Sequence, residues 1–166
     1  MRILALILVL AVTSCSASAP DSGPTAKTPL DPIAYFTGRA EGRATLYKLV
    51  GEPEAILVHS SGRSDGKGGV FLDQRIDEQG KPSRVRSWHL MPAGPGHFTG
   101  TLTDANGPVV ASVAGPRLDI AFPMKGGLKA RQILILRSDG RTLDNRLTVT
   151  KFGLPLAHLD EVISRG

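Results

Sequence analysis

The chain has 166 residues, of which 41% are hydrophobic and 21% are charged, and its formal net charge is +5. This composition predicts one globular domain, since a second domain has no room once an N-terminal leader is set aside. Aromatic residues make up only 5% of the chain and do not alternate with a basic stripe, which argues against nucleic acid as a partner.

The first residues are typical of a secretory leader. Arg2 precedes an apolar run over residues 3–12, which is shorter than the about 20 residues of a membrane-spanning helix but suits the apolar region of a signal peptide. We therefore predict a signal peptide over residues 1–14 and export from the cytoplasm.

A cysteine follows this apolar run. The segment Val12-Thr13-Ser14-Cys15 resembles the lipobox of bacterial lipoproteins, in which the cysteine thiol receives a diacylglycerol and becomes the first residue of the mature protein. The resemblance implies lipidation of Cys15, the single cysteine of the chain, and membrane attachment through that anchor. Ser16 stands where inner-membrane retention signals carry Asp, so the resemblance favours the periplasmic face of the outer membrane. The other interpretation is cleavage further on, near Ala17 or Ala19, with loss of the cysteine.

Residues 15–30 lead into the folded domain. They are rich in Ser, Ala and Pro and have no hydrophobic period, so we predict a flexible tether that carries the lipidated cysteine. The domain itself is predicted over residues 31–166. Its first element is a short helix, because Asp31 is a typical N-cap, Pro32 suits the first helical position and Gly38 suits the end.

Beyond Arg39 the pattern is that of an all-β domain. No window keeps a helical period, whereas short runs alternate between apolar and polar residues and are separated by Gly, Pro, Asn and Asp. The predicted strands lie at 40–50, 54–63, 68–77, 83–91, 97–104, 109–114, 117–123, 129–137, 141–151 and 155–163. Antiparallel strands connected by short turns in this number fit a closed meander barrel or a sandwich.

Two dipeptides predict tight turns. Asn106-Gly107 and Asp139-Gly140 are of the kind favoured in two-residue type I′ hairpins. A two-residue turn at Asp139-Gly140 places Leu134 opposite Asn145, so that the leucines of both strands share one face.

The C-terminal part of the chain carries a family signature. The segment DGRTLDNRLTVTKFGLPLAHLDEVI, residues 139–163, contains an Asn-Arg pair at 145–146 followed by a Lys-Phe-Gly turn at 151–153. It resembles the C-terminal signature of a family of bacterial envelope proteins of uncharacterised function, and YFTGRAEGR at 35–43 and VRSWHL at 85–90 are similar to its other landmarks. That family is thought to form lipocalin-like barrels and includes many lipoproteins. The resemblance therefore implies a lipocalin-like or calycin-like antiparallel β-barrel.

A predicted C-terminal hairpin forms a polar cluster beside the aliphatic face. If Phe152-Gly153 makes a tight turn, Asn145 lies opposite Asp160, and Lys151 and His158 fall on the same face. Polar groups beside an apolar wall are how a pocket holds the head of an amphiphile and buries its tail. The alternative is that these residues make ordinary cross-strand hydrogen bonds near a barrel rim.

Two further candidate ligand-binding residues share a face on the fourth strand. Arg86 can bind a carboxylate or phosphate through two hydrogen bonds, or pair with an internal acid such as Asp73. Trp88 is predicted opposite Gly100, where an aromatic ring that covers a glycine repairs a weak strand position. A core role for Trp88 therefore competes with a ligand-binding role.

The sequence gives little sign of catalytic or metal chemistry. The four histidines have no metal-ligand spacing, and His89 and His97, which are expected to be neighbours, lack a third ligand. Residues 62–66 match Gly-x-Ser-x-Gly, the nucleophile motif of hydrolases, but an alternating strand follows where that motif needs a helix. We therefore predict no metal, no cofactor and no enzyme, with a serine esterase using Ser64, Asp144 and His158 as the remaining alternative.

The predicted function is that of an envelope-anchored lipoprotein whose barrel binds a small apolar or amphiphilic molecule. Its partners would be the membrane, through the lipid anchor, and that ligand. The alternative is a non-enzymatic structural or protein-interaction module at the outer membrane. The candidate ligand-binding residues are Arg86, Trp88, Asn145, Lys151, His158 and Asp160.

Overall fold

A computed structural model describes residues 23–166 of the chain. The predicted signal peptide, Cys15 and the first part of the tether lie outside the described residues. Within this range no helix is long and apolar enough to cross a bilayer. The elements are α1 (Pro32–Phe36), β1 (Gly38–Lys48), β2 (Glu54–Ser64), β3 (Val70–Glu78), β4 (Arg84–Pro92), β5 (His97–Leu102), β6 (Val109–Ala114), β7 (Arg117–Pro123), a 3-10 turn (Lys125–Gly127), β8 (Leu128–Leu136), β9 (Thr142–Lys151) and β10 (Leu154–Arg165).

The ten strands form one closed antiparallel barrel. Each strand pairs with its neighbours in sequence, and β1 pairs with β10 to close the ring. Side chains alternate between the interior and the outer surface, so one column of each strand faces the core. The predicted all-β meander barrel is confirmed and the sandwich is excluded. Every predicted strand end lies within two residues of the observed end.

The predicted helix covers one end of the barrel. The Asp31 carboxylate accepts a hydrogen bond from the backbone N–H of Ala34 at 3.0 Å, as expected of an N-cap. Tyr35 is buried, and its hydroxyl lies 2.8 Å from the carbonyl oxygen of Arg141 and 3.2 Å from that of Ile163. We call this covered end the α1 end and the opposite one the far end.

The chain that precedes α1 packs on the barrel. The backbone N–H of Ala26 donates to the carbonyl oxygen of Leu136 at 2.8 Å, and that of Leu30 donates to Gly115 at 2.9 Å. Both Ala26 and Leu30 are buried. Residues 23–30 therefore differ from the predicted flexible tether, because they add apolar contacts to the core at the α1 end.

The β8–β9 hairpin has the predicted register but not the predicted turn. Leu134 lies opposite Asn145, as expected. A type I′ turn needs positive φ at both central residues, whereas Phe152 is the one non-glycine residue with positive φ in the described range. Asp139 instead accepts a hydrogen bond from the backbone N–H of Arg141 at 2.9 Å within a longer loop. The predicted two-residue turn is therefore wrong, although the strands it connects are correctly paired.

The second predicted tight turn is also wrong. Residues 103–108 form a longer connection between β5 and β6. The backbone N–H of Asn106 donates to the carbonyl oxygen of Pro123 at 2.8 Å. The Asn-Gly dipeptide thus joins this loop to the end of β7 instead of closing a hairpin, because contacts with another strand outweigh the local turn preference.

The β4–β5 pairing places Trp88 differently from the prediction. Trp88 lies opposite Leu102, and Gly100 lies opposite Leu90, so the indole does not cover the glycine. An added Cβ at Gly100 would lie 1.9 Å from the carbonyl oxygen of His89. Glycine is needed there because the two backbones approach closely, which is a different reason from repair by an aromatic ring.

Tyr35→Phe is expected to lower the free energy of unfolding by about 1–2 kcal/mol, because the carbonyl oxygens of Arg141 and Ile163 lose their hydrogen-bond donor. Burial raises the pKa of the Tyr35 hydroxyl above its ordinary value of about 10. The stabilisation is therefore present below about pH 10 and is lost as the pH rises above that value. Urea unfolding measures the effect, with Tyr47→Phe as control because Tyr47 is partly exposed on the outer face. An equal loss in both variants would contradict this role of Tyr35.

Candidate functional site

A layer of polar side chains crosses the barrel interior between two apolar clusters. The larger cluster lies toward the α1 end and includes Leu72 and Leu134, while the smaller lies toward the far end and includes Ile56 and Ile76. The layer between them, which we call the polar layer, consists of Ser60, Gln74, Arg86, Gln132, Asn145 and Glu161. Burying polar groups among apolar ones is unfavourable unless they are bonded, so this layer is the candidate functional site.

The polar layer has two halves. The first consists of side-by-side residues on β2, β3 and β4: Ser60, Gln74 and Arg86. The second lies on β8, β9 and β10: Gln132, Asn145 and Glu161. These two groups of strands occupy opposite sides of the ring, so the halves face each other across the interior.

Gln74 holds the first half in place. Its Nε2 donates to the Ser60 hydroxyl at 3.0 Å, and its Oε1 accepts from Arg86 Nε at 2.9 Å and from Trp88 Nε1 at 2.8 Å. The Arg86 guanidinium carbon lies 5.5 Å from the centre of the Trp88 ring. Because Arg86 Nε already donates to Gln74, the two terminal nitrogens of the guanidinium are the groups that can donate to other partners.

The second half contains a free hydrogen-bond acceptor. Asn145 Nδ2 donates to the Glu161 carboxyl group at 2.7 Å. Asn145 Oδ1 is buried and has no hydrogen-bond partner among the described residues. The Glu161 side chain has room because β1 carries Gly42 nearby, where an added Cβ would lie 1.9 Å from Glu161 Oε1. An unpaired acceptor in a buried layer calls for an explanation, and a bound molecule provides one.

Each half of the polar layer contains one ionisable side chain. Burial raises the pKa of Glu161 above its ordinary value, although the Asn145 hydrogen bond and the Arg86 charge act in the other direction. Burial lowers the pKa of Arg86, against the charges of Glu161 and Asp104. Within the described residues, the carboxylate close enough to pair with Arg86 is that of Asp104, at 4.0 Å. A molecule between the halves would therefore meet a guanidinium on one side and a carboxyl group on the other.

Two small cavities adjoin the polar layer. One, of about 40 Å³, lies on the α1 side and has Trp88 in its wall. The other, of about 30 Å³, lies on the far side, where the half-exposed Arg84 contributes to the wall. Arg86, Gln132 and Glu161 line both cavities. Since a water needs about 10–15 Å³, each cavity has room for about two or three waters or for an equally small group.

The structure brings together half of the predicted ligand-binding residues. Those that line the polar layer or its cavities are Arg86, Trp88 and Asn145. Those that lie elsewhere are Lys151, His158 and Asp160. The predicted cluster of Asn145 with the last three residues is therefore wrong.

A β-bulge in β10 is the reason for the positions of His158 and Asp160. Lys151 lies opposite Leu154 as predicted, but the register shifts between Pro155 and Ala157. A shift of one residue turns every following side chain to the other face. Glu161, and not Asp160, consequently lies opposite Asn145 inside the barrel.

His158, Asp160 and Lys151 make contacts away from the polar layer. The His158 ring stacks on Tyr47 with the ring centres 4.6 Å apart. Asp160 accepts two hydrogen bonds from Arg146, at 2.6 and 2.7 Å. Lys151 ends β9 at about 20 Å from Asn145 along the strand, and its Nζ lies 5.7 Å from the centre of the Phe152 ring.

The proposed pairing of Arg86 with Asp73 is also wrong. Asp73 faces outward, where it accepts a hydrogen bond from the Ser87 hydroxyl at 2.6 Å and pairs with Arg63 at 3.3 Å. The next residue, Gln74, faces inward and binds Arg86 instead. The prediction failed because adjacent strand residues point to opposite faces.

Sequence reasoning missed Gln74, Gln132 and Glu161. Each is a single polar residue that interrupts an apolar alternating column, as Gln74 does between Leu72 and Ile76. That interruption is a local signal available in the sequence. A polar residue in a buried column points to a specific partner or to a binding site.

The motif around Ser64 is a turn. Ser64 ends β2, and a hairpin into β3 follows where a nucleophile elbow requires a helix. The Ser64 hydroxyl accepts a hydrogen bond from the backbone N–H of Gly66 at 3.1 Å. Asp144 is held by Arg137, and His158 is stacked on Tyr47. The esterase alternative therefore has no support in the structure.

The histidines considered as metal ligands have other neighbours. His89 Nε2 lies 2.9 Å from Asp65 Oδ2, and its ring stacks on Phe71. His97 lies opposite Ser112 on β6. Over residues 23–166, no group of three His, Cys, Asp or Glu side chains is placed to hold a metal ion.

The barrel is similar to two proteins of known structure. The S-type phycobiliprotein lyase CPES from Guillardia theta gives a TM-score of 0.63 at 6% sequence identity, covering 81% of this chain and 90% of that one. Rv2717c from M. tuberculosis gives a TM-score of 0.63 at 20% identity, covering 82% of this chain and 99% of that one. No curated protein matches the chain. A family model described as "Protein of unknown function (DUF3833)" matches residues 9–165.

These comparisons confirm one prediction and correct another. At 6% and 20% identity the similarities show the fold, which is the predicted lipocalin-like barrel. The expectation that the chain is not an enzyme is overturned, because a protein with the same barrel is a lyase and the architecture is therefore one that enzymes use.

Glu161→Gln is expected to stabilise the protein at pH 7 and to have little effect at pH 4. Burial raises the pKa of Glu161, so the folded state favours the protonated carboxyl group. That contribution to stability is complete below the unfolded-state pKa of about 4.3 and is lost as the pH rises above it. Urea unfolding at several pH values measures the difference, with the exposed Glu41→Gln as control. A variant less stable than the parent at pH 7 would contradict this assignment.

Gly42→Ala is expected to lower the free energy of unfolding by about 1–3 kcal/mol, because the added methyl group would lie 1.9 Å from Glu161 Oε1. In a Glu161→Ala background the same substitution is expected to be less destabilising, since the obstructing group is gone. Urea unfolding of the two single variants and the double variant measures this coupling. Additive effects would show that the two side chains do not compete for space.

Proposed function

We propose that the barrel binds a small amphiphilic molecule at the polar layer. The premise is that the chain belongs to the DUF3833 family of proteins of unknown function. The observation that carries this proposal is the placement of Arg86 and Glu161, which line the same two cavities from opposite walls. Gln74 and Asn145 satisfy only part of the hydrogen-bonding capacity of these two side chains, and a ligand with complementary polar atoms would use the rest.

The polar end of the ligand is expected to lie between the two halves of the layer. The terminal nitrogens of Arg86 donate hydrogen bonds to oxygen atoms, such as those of a carboxylate or an amide. Asn145 Oδ1, which lacks a partner in the described range, suits an N–H or O–H group. The layer therefore favours a head group that contains both an acceptor and a donor.

The apolar end of the ligand is expected to lie on the α1 side. The cavity there is lined by Trp88 and by aliphatic side chains, among them Val70, Leu72, Leu90, Ile120 and Leu134. Its volume of about 40 Å³ admits only a small group. A longer chain requires the two cavities to join, and the side chains that lie between them are those of Arg86, Gln132 and Glu161.

The proposal includes a location in the cell envelope. The apolar run at residues 3–12 and the lipobox-like segment at 12–15 support export and lipidation of Cys15. Ser16 supports sorting to the outer membrane. Residues 23–30 pack on the α1 end of the barrel, so a lipid anchor at Cys15 would be attached to the barrel at that end.

A protein-interaction role is the second candidate. The small volumes of both cavities favour it, since a barrel filled by its own side chains can serve as a rigid scaffold. The two candidates differ in whether the barrel takes up a small molecule.

Fluorescence of Trp88 tests the proposed function. Trp88 is the only tryptophan of the chain and lines the α1-side cavity, so its emission reports ligand uptake. Fatty acids and N-acyl amino acids titrated into the Cys15→Ser protein are expected to shift this emission, and native mass spectrometry is expected to detect a one-to-one complex. Arg86→Gln is expected to weaken binding by about tenfold, because it removes a charged donor from the site. The matched control is Arg75→Gln, since Arg75 binds Asp77 on the outer face.

Two results would count against ligand binding at this site. One is a protein that takes up nothing after exposure to an extract of envelope lipids, which would favour the interaction role. The other is equal affinity in the Arg86→Gln and Arg75→Gln variants, which would move the ligand away from the polar layer.

A further inference from the structure

An exposed apolar cluster lies at the far end of the barrel. Leu49 and Val50 belong to the turn between β1 and β2, while Phe152 and Leu154 lie at the turn between β9 and β10. The turns are adjacent, because the backbone N–H of Leu49 donates to the carbonyl oxygen of Leu156 at 3.2 Å. Each of the four apolar residues exposes between 68% and 91% of its surface. We call these four residues the far-end tip.

Phe152 is displayed in an unfavourable backbone conformation. Its φ is +51°, and it is the one non-glycine residue with positive φ among residues 23–166. This region is disfavoured for a bulky L-residue, and Asn, Asp or Gly is usual there. The turn nevertheless presents a phenyl ring to solvent. An aromatic side chain held outward in a strained turn indicates a role outside the barrel.

Basic residues surround the far-end tip. Four lysines lie at this end of the barrel: Lys48 at the end of β1, Lys151 at the end of β9, Lys125 in the 3-10 turn before β8, and Lys129 at the start of β8. The acidic residues of the adjacent turn are Glu52 and Glu54, and Glu54 is bound by both Lys48 and Lys81. This end of the β8–β9–β10–β1 wall is therefore net positive.

This combination fits a lipid surface better than a protein surface. Aromatic and aliphatic side chains enter the boundary between head groups and acyl chains, while lysines attract anionic head groups. A stable protein interface takes about 20–30 residues on each side and is depleted in lysine at its core. The far-end tip instead offers four apolar residues surrounded by lysines. We propose that the far-end tip inserts into the interface of an anionic lipid bilayer.

The proposed contact is separate from the lipid anchor and from the ligand site. Residues 23–30 join the barrel at the α1 end, whereas β1, with 11 residues, leads over about 35 Å of strand to the far end. The tip also lies outside the polar layer. Its contact with lipid therefore rests neither on Cys15 nor on the proposed ligand.

Cosedimentation of a protein that begins at Ser16 with lipid vesicles tests the proposal without an acyl anchor and without the apolar leader. Vesicles of phosphatidylcholine and phosphatidylglycerol are compared with vesicles of phosphatidylcholine alone. The protein is expected to bind the anionic vesicles about tenfold more strongly, because the lysines add electrostatic attraction. Added salt is expected to weaken this binding, since exposed charges are screened.

The tip variant is Val50→Ser/Phe152→Asn. Asn adopts positive φ more readily than Phe, so this variant is expected to be no less stable than the parent in urea. It is expected to bind the anionic vesicles about tenfold more weakly, because it lacks two apolar side chains that would enter the bilayer. The matched control is Val85→Ser/Val110→Ser, which removes valines that are 65% and 54% exposed on the barrel wall. The control variant is expected to bind as the parent does.

Three outcomes would overturn the proposal. The first is equal vesicle binding by the parent and the tip variant. The second is an equal loss of binding in the tip variant and the control variant. The third is absence of binding to either kind of vesicle. If the parent then self-associates in analytical ultracentrifugation and the tip variant does not, the tip is a contact between protein chains.

Discussion

Closure of the barrel is the constraint on which the rest of the structure depends. Because β1 pairs with β10, every strand has a partner on both sides, and the inward columns of all ten strands must fill one fixed volume. A small residue on one strand then determines what the next strand can carry. The carboxyl group of Glu161 on β10 occupies the space that Gly42 leaves on β1. The polar layer exists only in the closed ring, because its two halves come from opposite walls.

The two halves of the polar layer differ in how fully they are bonded. Gln74 fixes both Arg86 and Trp88 through one amide oxygen, whereas Asn145 Oδ1 on the other wall has no partner in the described part of the chain. One wall is thus preorganised, and the other keeps hydrogen-bonding capacity. The comparisons show that the same barrel serves proteins of low sequence identity, including a lyase. The chemistry of this interior therefore has to be inferred from its own side chains.

The strands could be predicted because alternation is a local property of the sequence, and Leu134 pairs with Asn145 as that pattern requires. The bulge in β10 could not be predicted, because it depends on how β10 fits between β9 and β1. Its shift of one residue places Glu161, and not Asp160, inside the barrel. The predicted turn types were wrong for a related reason, since contacts with other strands outweighed the local turn preference. Gln132 left a local signal as a polar residue in an apolar column. That six polar residues come together in one layer of the interior depends on how the whole ring closes.

The pairing of β1 with β10 also determines the order in which the protein can assemble. Ala40 pairs with Arg165, and the backbone N–H of Gly166 donates to the carbonyl oxygen of Arg39, so the two ends of the domain meet. Contacts between distant parts of a chain form slowly. Until the last strand is available, the earlier strands form an open sheet whose edges can pair with other chains and aggregate. Pairing of β10 with both neighbours therefore ends this exposure, and a chain truncated before Leu154 would keep both β1 and β9 as open edges.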